Sequence, residues 1–100
     1  MKKDAQQLTI QEIKEKTIPV LRSFGVVRSA LFGSFARNEA REDSDVDILV
    51  ELPKGKSLVD LVELQAQLSQ TIGKNTDVVT FDSLHYLLRD RVLSELVHIL

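Results

Sequence analysis

The sequence predicts an α/β (α+β) domain, a small mixed β-sheet covered by helices. Short apolar runs at residues 26–32, 46–52 and 75–81 have the length, alternation and β-branched content of strands. Around them, residues 10–24 and 58–72 carry apolar side chains at helical spacing. Glycines and capping-box sequences mark where one kind of element gives way to the other.

The first helix opens at the capping box Thr9-Ile10-Gln11-Glu12 and is expected to end at Gly25, with Ile10, Ile13, Val20, Leu21 and Phe24 on one face and Thr17 between Ile13 and Leu21. Pro19 lies inside this pattern, where the missing N–H should kink the helix or split it. Val26 to Phe32 is the first strand, and it delivers the chain to Gly33-Ser34. A short helix-compatible segment, Ser34 to Ala40, starts there and runs into a cluster of Arg37, Glu39, Arg41, Glu42 and Asp43. For Arg41 the cluster reads as solvated surface, and for Arg37 that reading stands level with a role tied to the turn it follows.

Val46 to Leu52 is the second strand, with Val46, Ile48 and Val50 on a face for helices to cover and Asp45, Asp47, Leu49 and Glu51 on the other. Pro53-Lys54-Gly55-Lys56 is a turn whose lysines are surface residues by default, although they could reach a bound ligand from that loop. Ser57-Leu58-Val59-Asp60 is a second capping box, and its helix turns Leu58, Leu61, Leu64, Leu68 and Ile72 inward as far as Gly73. Asn75 to Phe81 is the third strand, with Asp77 on the face of Val79 and Phe81. Asp82 falls on the opposite parity, where it or Ser83 can cap the next helix. The tail, Leu84 to Leu100, reads as a helix with a stripe of Val92, Leu93, Leu96, Val97 and Leu100, widened by Ile99. That is more apolar surface than a small sheet can cover, so this C-terminal helix offers a contact for a partner protein or an oligomer. His85, Tyr86 and His98 read as surface or core-edge residues.

At 100 residues the chain fits one domain, 1–100, with no linker. No apolar run can span a bilayer, and the start MKKDAQQLTIQEIKEK has no apolar core of a signal peptide, so a cytoplasmic protein is expected. The absence of cysteine excludes disulfides, zinc-thiolate sites and thiol catalysis. Thirteen Lys plus Arg against 15 Asp plus Glu give no footprint for gripping a long nucleic acid.

The chemistry concentrates in residues 31–50. Asp45 and Asp47, two apart at the start of a strand, present their carboxylates to one side. Two like charges so close are tolerated where solvent or a cation neutralises them, and oxygen-only ligands suit a hard divalent ion such as Mg2+. Gly33-Ser34 lets the backbone approach a ligand closely, and the free N–H groups of the helix beginning there favour phosphates. Phosphates facing paired carboxylates across a metal is the layout of phosphoryl or nucleotidyl transfer.

Gly33-Ser34-Phe35-Ala36-Arg37 followed by Ser44-Asp45-Val46-Asp47-Ile48 resembles the G-S-x-A-R-G…S-D-x-D-[IL] signature of DNA polymerase β-like nucleotidyltransferases, and the whole chain resembles their minimal (MNT) branch. The family has Gly where this chain has Asn38, a residue that also tolerates a left-handed backbone. The resemblance implies the polymerase β-like fold, Gly33 and Ser34 on the triphosphate of ATP, and Asp45 and Asp47 on Mg2+. Within the same signature, Ser44 belongs to the nucleotide-binding set, and Arg37 either meets the phosphates or braces the turn. It also implies a third carboxylate on a neighbouring strand that completes a site for two ions and acts as base toward the acceptor. The motif match gives that role to Asp77 over Asp82.

What the resemblance implies for function is Mg2+-dependent transfer of AMP from ATP to a hydroxyl, as an antitoxin that modifies a tyrosine of a HEPN ribonuclease toxin. The competing class is a non-catalytic antitoxin that inhibits by complex formation alone. Transfer to a small molecule or an RNA end is disfavoured by the lack of an acceptor domain and of basic surface.

Overall fold

The computed structural model describes residues 8–84 and 86–100, leaving aside the side chains of residues 86–88. The readings of His85 and of the Tyr86 side chain lie outside the described residues. Helix α1, Ile10–Ser23, starts at the expected box: the Thr9 hydroxyl accepts the Glu12 N–H at 3.0 Å and the Glu12 carboxylate accepts the Thr9 N–H at 2.9 Å. Pro19 does not split it, because one missing N–H leaves the bonds on either side intact. Buried Thr17 satisfies its hydroxyl by donating to the Ile13 carbonyl at 2.8 Å.

Strand β1, Arg28–Phe32, runs into α2, Gly33–Ala36, and β2 is Val46–Glu51. Helix α3, Leu58–Ile72, crosses over to β3, Thr76–Thr80, followed by a 3-10 turn at Phe81–Ser83, α4 at Tyr86–Ser94 and β4 at Val97–His98. The sheet order is β3-β2-β1-β4, with β1 antiparallel to β2 and β4, and β2 parallel to β3. A parallel neighbour requires a long crossover, which α3 provides. Helices α1 and α3 press Ile13, Leu21, Leu64 and Leu68 onto one sheet face, where Leu31, Ile48 and Val78 stand side by side in register. Among the described residues no helix is long and apolar enough to cross a membrane.

Four expectations need correction. The last residues do not continue α4: Val97 and His98 pair with Leu31 and Ala30, and the Ile99 N–H donates to the Ser29 carbonyl at 2.9 Å. Without β4 the free side of β1 would be an unpaired edge, and pairing it also buries Ile99 to 8% exposure while His98 stays outside. Val97, Ile99 and Leu100 therefore join the core, and a long C-terminal helix is not there to carry an oligomer contact.

Helix α2 is one turn long instead of reaching Ala40. Asn38 takes φ +61°, the left-handed conformation anticipated for a residue replacing Gly, and this ends the helix. Leu58, the first residue of α3, points outward at 74% exposure, and the helix meets the core only from Leu61 onward. Finally, α4 begins at Tyr86, so Asp82 and Ser83 belong to the 3-10 turn and do not cap it.

The outer side of β3 is closed by its own crossover helix. The Val78 N–H donates to the Gln65 side chain at 2.9 Å and the Thr76 N–H to the Ser69 hydroxyl at 3.0 Å.

Candidate active site

The register of the sheet assembles the site. Asp47 on β2 is paired with Asp77 on parallel β3 and with Phe32 on β1, so the two carboxylates leave the same face and Gly33 follows immediately beside them. Gly33 has φ +76°, and a Cβ there would fall on the Asp47 carboxylate oxygen Oδ2, with Cγ only 3.1 Å away. The glycine is required by the carboxylate it packs against as well as by the turn.

Asp45 and Asp77 are exposed, whereas Asp47 is half-buried. Burial pushes the Asp47 carboxyl up to about 6; the charges of Asp77 and Asp45 add to this, and the Arg37 guanidinium opposes it. Asp45 and Asp77 thus both act on Asp47, and a positive charge among them would relieve the repulsion. Among the described residues they do not already converge as a three-ligand cage.

Ser44 is committed to a turn: its hydroxyl accepts the Arg41 N–H at 2.8 Å, and its own N–H donates to the Arg41 carbonyl at 3.0 Å. That turn fixes the approach of Asp45 to β2. Ser34 is the second residue of α2, whose first N–H groups have no acceptor within so short a helix. Arg37 follows α2, and its guanidinium contacts Glu39 at 3.1 Å and Glu95 at 3.4 Å. Glu95 also meets Arg91 at 3.4 Å. Its reach to Arg37 across 58 positions left no signal in the sequence. Asp82 lies past the far end of β3 from Asp77, and Lys54 and Lys56 lie past the far end of β2 from Asp47. The lysines cannot reach a nucleotide held at Gly33. A groove also lies at that far end, lined by Arg28, residues 50–58, Leu61, residues 80–83 and Arg89.

Residues 10–99 match the Nucleotidyltransferase domain family. A protein of Methanocaldococcus jannaschii with the provisional name protein adenylyltransferase MJ0435 is 54% identical over 93 residues, covering 93% of this chain and all of the relative. A solved structure described as a candidate minimal nucleotidyltransferase superposes with TM-score 0.77 at 38% identity, covering 88% of this chain and 90% of the other. A structure of a tri-AMPylated Shewanella oneidensis HEPN toxin in complex with an MNT antitoxin gives TM-score 0.70 at 23% identity, covering 90% of this chain and 71% of the other. At that identity the likeness is one of fold.

Proposed function

The chain belongs to the nucleotidyltransferase domain family, and from that premise we propose that it transfers AMP from ATP to a tyrosine hydroxyl of a HEPN-domain toxin, in the presence of Mg2+, as that toxin's antitoxin. The observation that carries this reading is the in-register pair Asp47 and Asp77, with Asp47 packed against Gly33. Adenylyl transfer to a protein is the activity in the name of the Methanocaldococcus jannaschii relative, and a modified HEPN toxin accompanies the MNT protein in the Shewanella oneidensis complex.

Asp45, Asp47 and Asp77 would hold the divalent ions: they are hard oxygen donors, two of them share a face in register, and their mutual repulsion is the kind a cation removes. Bound there, the metal supplies Lewis-acid stabilisation of the oxygens around the reacting phosphorus. Gly33 and Ser34 bring backbone N–H groups to the phosphates, and Arg37 can turn a guanidinium N–H toward them once it leaves a carboxylate. The tyrosine oxygen forms the new bond to the α-phosphorus, the bridging bond to the β-phosphate breaks, and pyrophosphate leaves. Asp77, exposed at the edge of the set, takes the hydroxyl proton.

Incubation with a HEPN protein, ATP and Mg2+ should add the mass of AMP to a tyrosine of that protein. Inhibition of the toxin without added mass would end the catalytic reading. A second reading, inhibition by complex formation alone, is favoured by the lack of a ready three-carboxylate cage among the described residues. It requires a D45N/D47N double variant to inhibit as well as the wild type.

A further inference from the structure

At the end of the sheet opposite the carboxylates lies a groove of about 540 Å³, between the turn after β2, the start of α3 and the 3-10 turn. Its lining holds Arg28, Lys54, Lys56 and Arg89 against only Glu51 and Asp82, a local excess of positive charge in a chain of net charge −2. The two arginines are occupied. Arg28 meets Glu51 at 3.5 Å and lies over the Phe81 ring at 4.1 Å, and Arg89 donates to the Phe81 carbonyl at 3.0 Å. Lys54 and Lys56 make no salt bridge among the described residues, Lys56 acting only at longer range on Asp60.

Beside these lysines the first turns of α3 expose Leu58, Val59 and Val62 at 74%, 72% and 61%. Spacings of three and four place them on one stripe, apolar surface that α3 does not use against its own sheet.

We propose that this stripe and groove form the docking surface for the acceptor protein, which meets them with an acidic segment carrying apolar side chains; the acceptor's identity rests on the function proposed above. Charge complementarity selects this occupant. A second copy of the chain in a twofold contact would set this net-positive patch against itself, whereas an acidic partner pairs with its lysines. The surface also lies apart from the chemistry. Asp47 and Glu51 stand four positions apart on β2, roughly 13 Å at the rise of a β-strand, so a docked partner leaves the carboxylate end open for its hydroxyl to reach.

The test is calorimetric titration of the HEPN protein into the full chain and into K54E/K56E, L58S/V62S and D47N variants, with AMP transfer measured on each. The proposal expects both surface variants to weaken binding at least tenfold and to raise KM for the acceptor while kcat at saturating acceptor stays unchanged. Charge reversal should also flatten the salt dependence of Kd. The D47N variant should bind like the wild type. Surface variants that bind within twofold of the wild type overturn the proposal, as does a wild-type dimer in sedimentation that L58S/V62S converts to monomer. If D47N transfers AMP at the wild-type rate, the enzymatic reading fails, while the docking surface still stands or falls on Kd alone.

Discussion

The two ends of the β2–β3 pair are opposites in charge, packing and commitment. At one end two carboxylates act on a third that is half-buried, and a glycine backbone is pressed onto that one so closely that no side chain could intervene. At the other, lysines and apolar side chains face solvent around an open groove. Crowded like charge opposes folding, so the acidic end is retained against its own electrostatics. The basic end carries no such tension. Strain belongs where atoms must be placed to a fraction of an ångström, and exposure where another molecule is to be met.

Substitutions that separate the two ends test this contrast. The largest effect is expected from D47N or D77N, which should lower AMP transfer on the order of 10²- to 10³-fold in steady-state kinetics, the scale for removing one electrostatic stabiliser, whereas K54E/K56E should leave kcat alone.

Glycines at the two ends give the next comparison. Gly33 and Gly55 both have positive φ, but a Cβ at Gly33 meets the Asp47 carboxylate and one at Gly55 meets nothing within 4 Å. Both alanine variants pay the left-handed cost of roughly 1–2 kcal/mol, and G33A should lose about 1 kcal/mol more for the displaced carboxylate, as read by denaturant melts. Only G33A should impair transfer.

The pH dependence of stability is smaller. The Asp47 carboxyl is raised to about 6 from its ordinary 3.8, so the native state holds this proton more tightly than the unfolded chain. The stability it contributes is complete below the ordinary value and declines as pH rises through about 6. Without divalent ions, D47N should therefore be more stable than the wild type at pH 7 by about 1 kcal/mol, after discounting for the screening of a half-exposed group. The two should converge near pH 4, and Mg2+ should close the gap at pH 7. Smallest of all, N38G should add about 0.5 kcal/mol by easing φ +61°.

Much of the frame was legible because it is written locally. The Thr9 box, the Gly73 stop, the left-handed Asn38 and the apolar alternation of β2 each depend on neighbours within a few positions. Parity placed Asp77 and Asp82 on different faces, but only the register of β2 against β3 set Asp77 beside Asp47. The tail misled because Val97 and Ile99 fit a helical stripe as well as a strand, and what decided between them was the vacant side of β1, some 67 residues earlier. Arg37 with Glu95 is likewise a contact between distant segments. Leu58 obeyed the helical period and still faced solvent, because period fixes a direction but not whether anything lies there.

Gln65 and Ser69 occupy the donors along the rim of β3, which leaves little main chain for a visiting strand to zip onto. Recognition of a partner along this edge thus falls to side chains. Such a contact can be rewritten one residue at a time, so related pairs encoded in one cell could diverge into mutually blind couples while their shared architecture stays untouched.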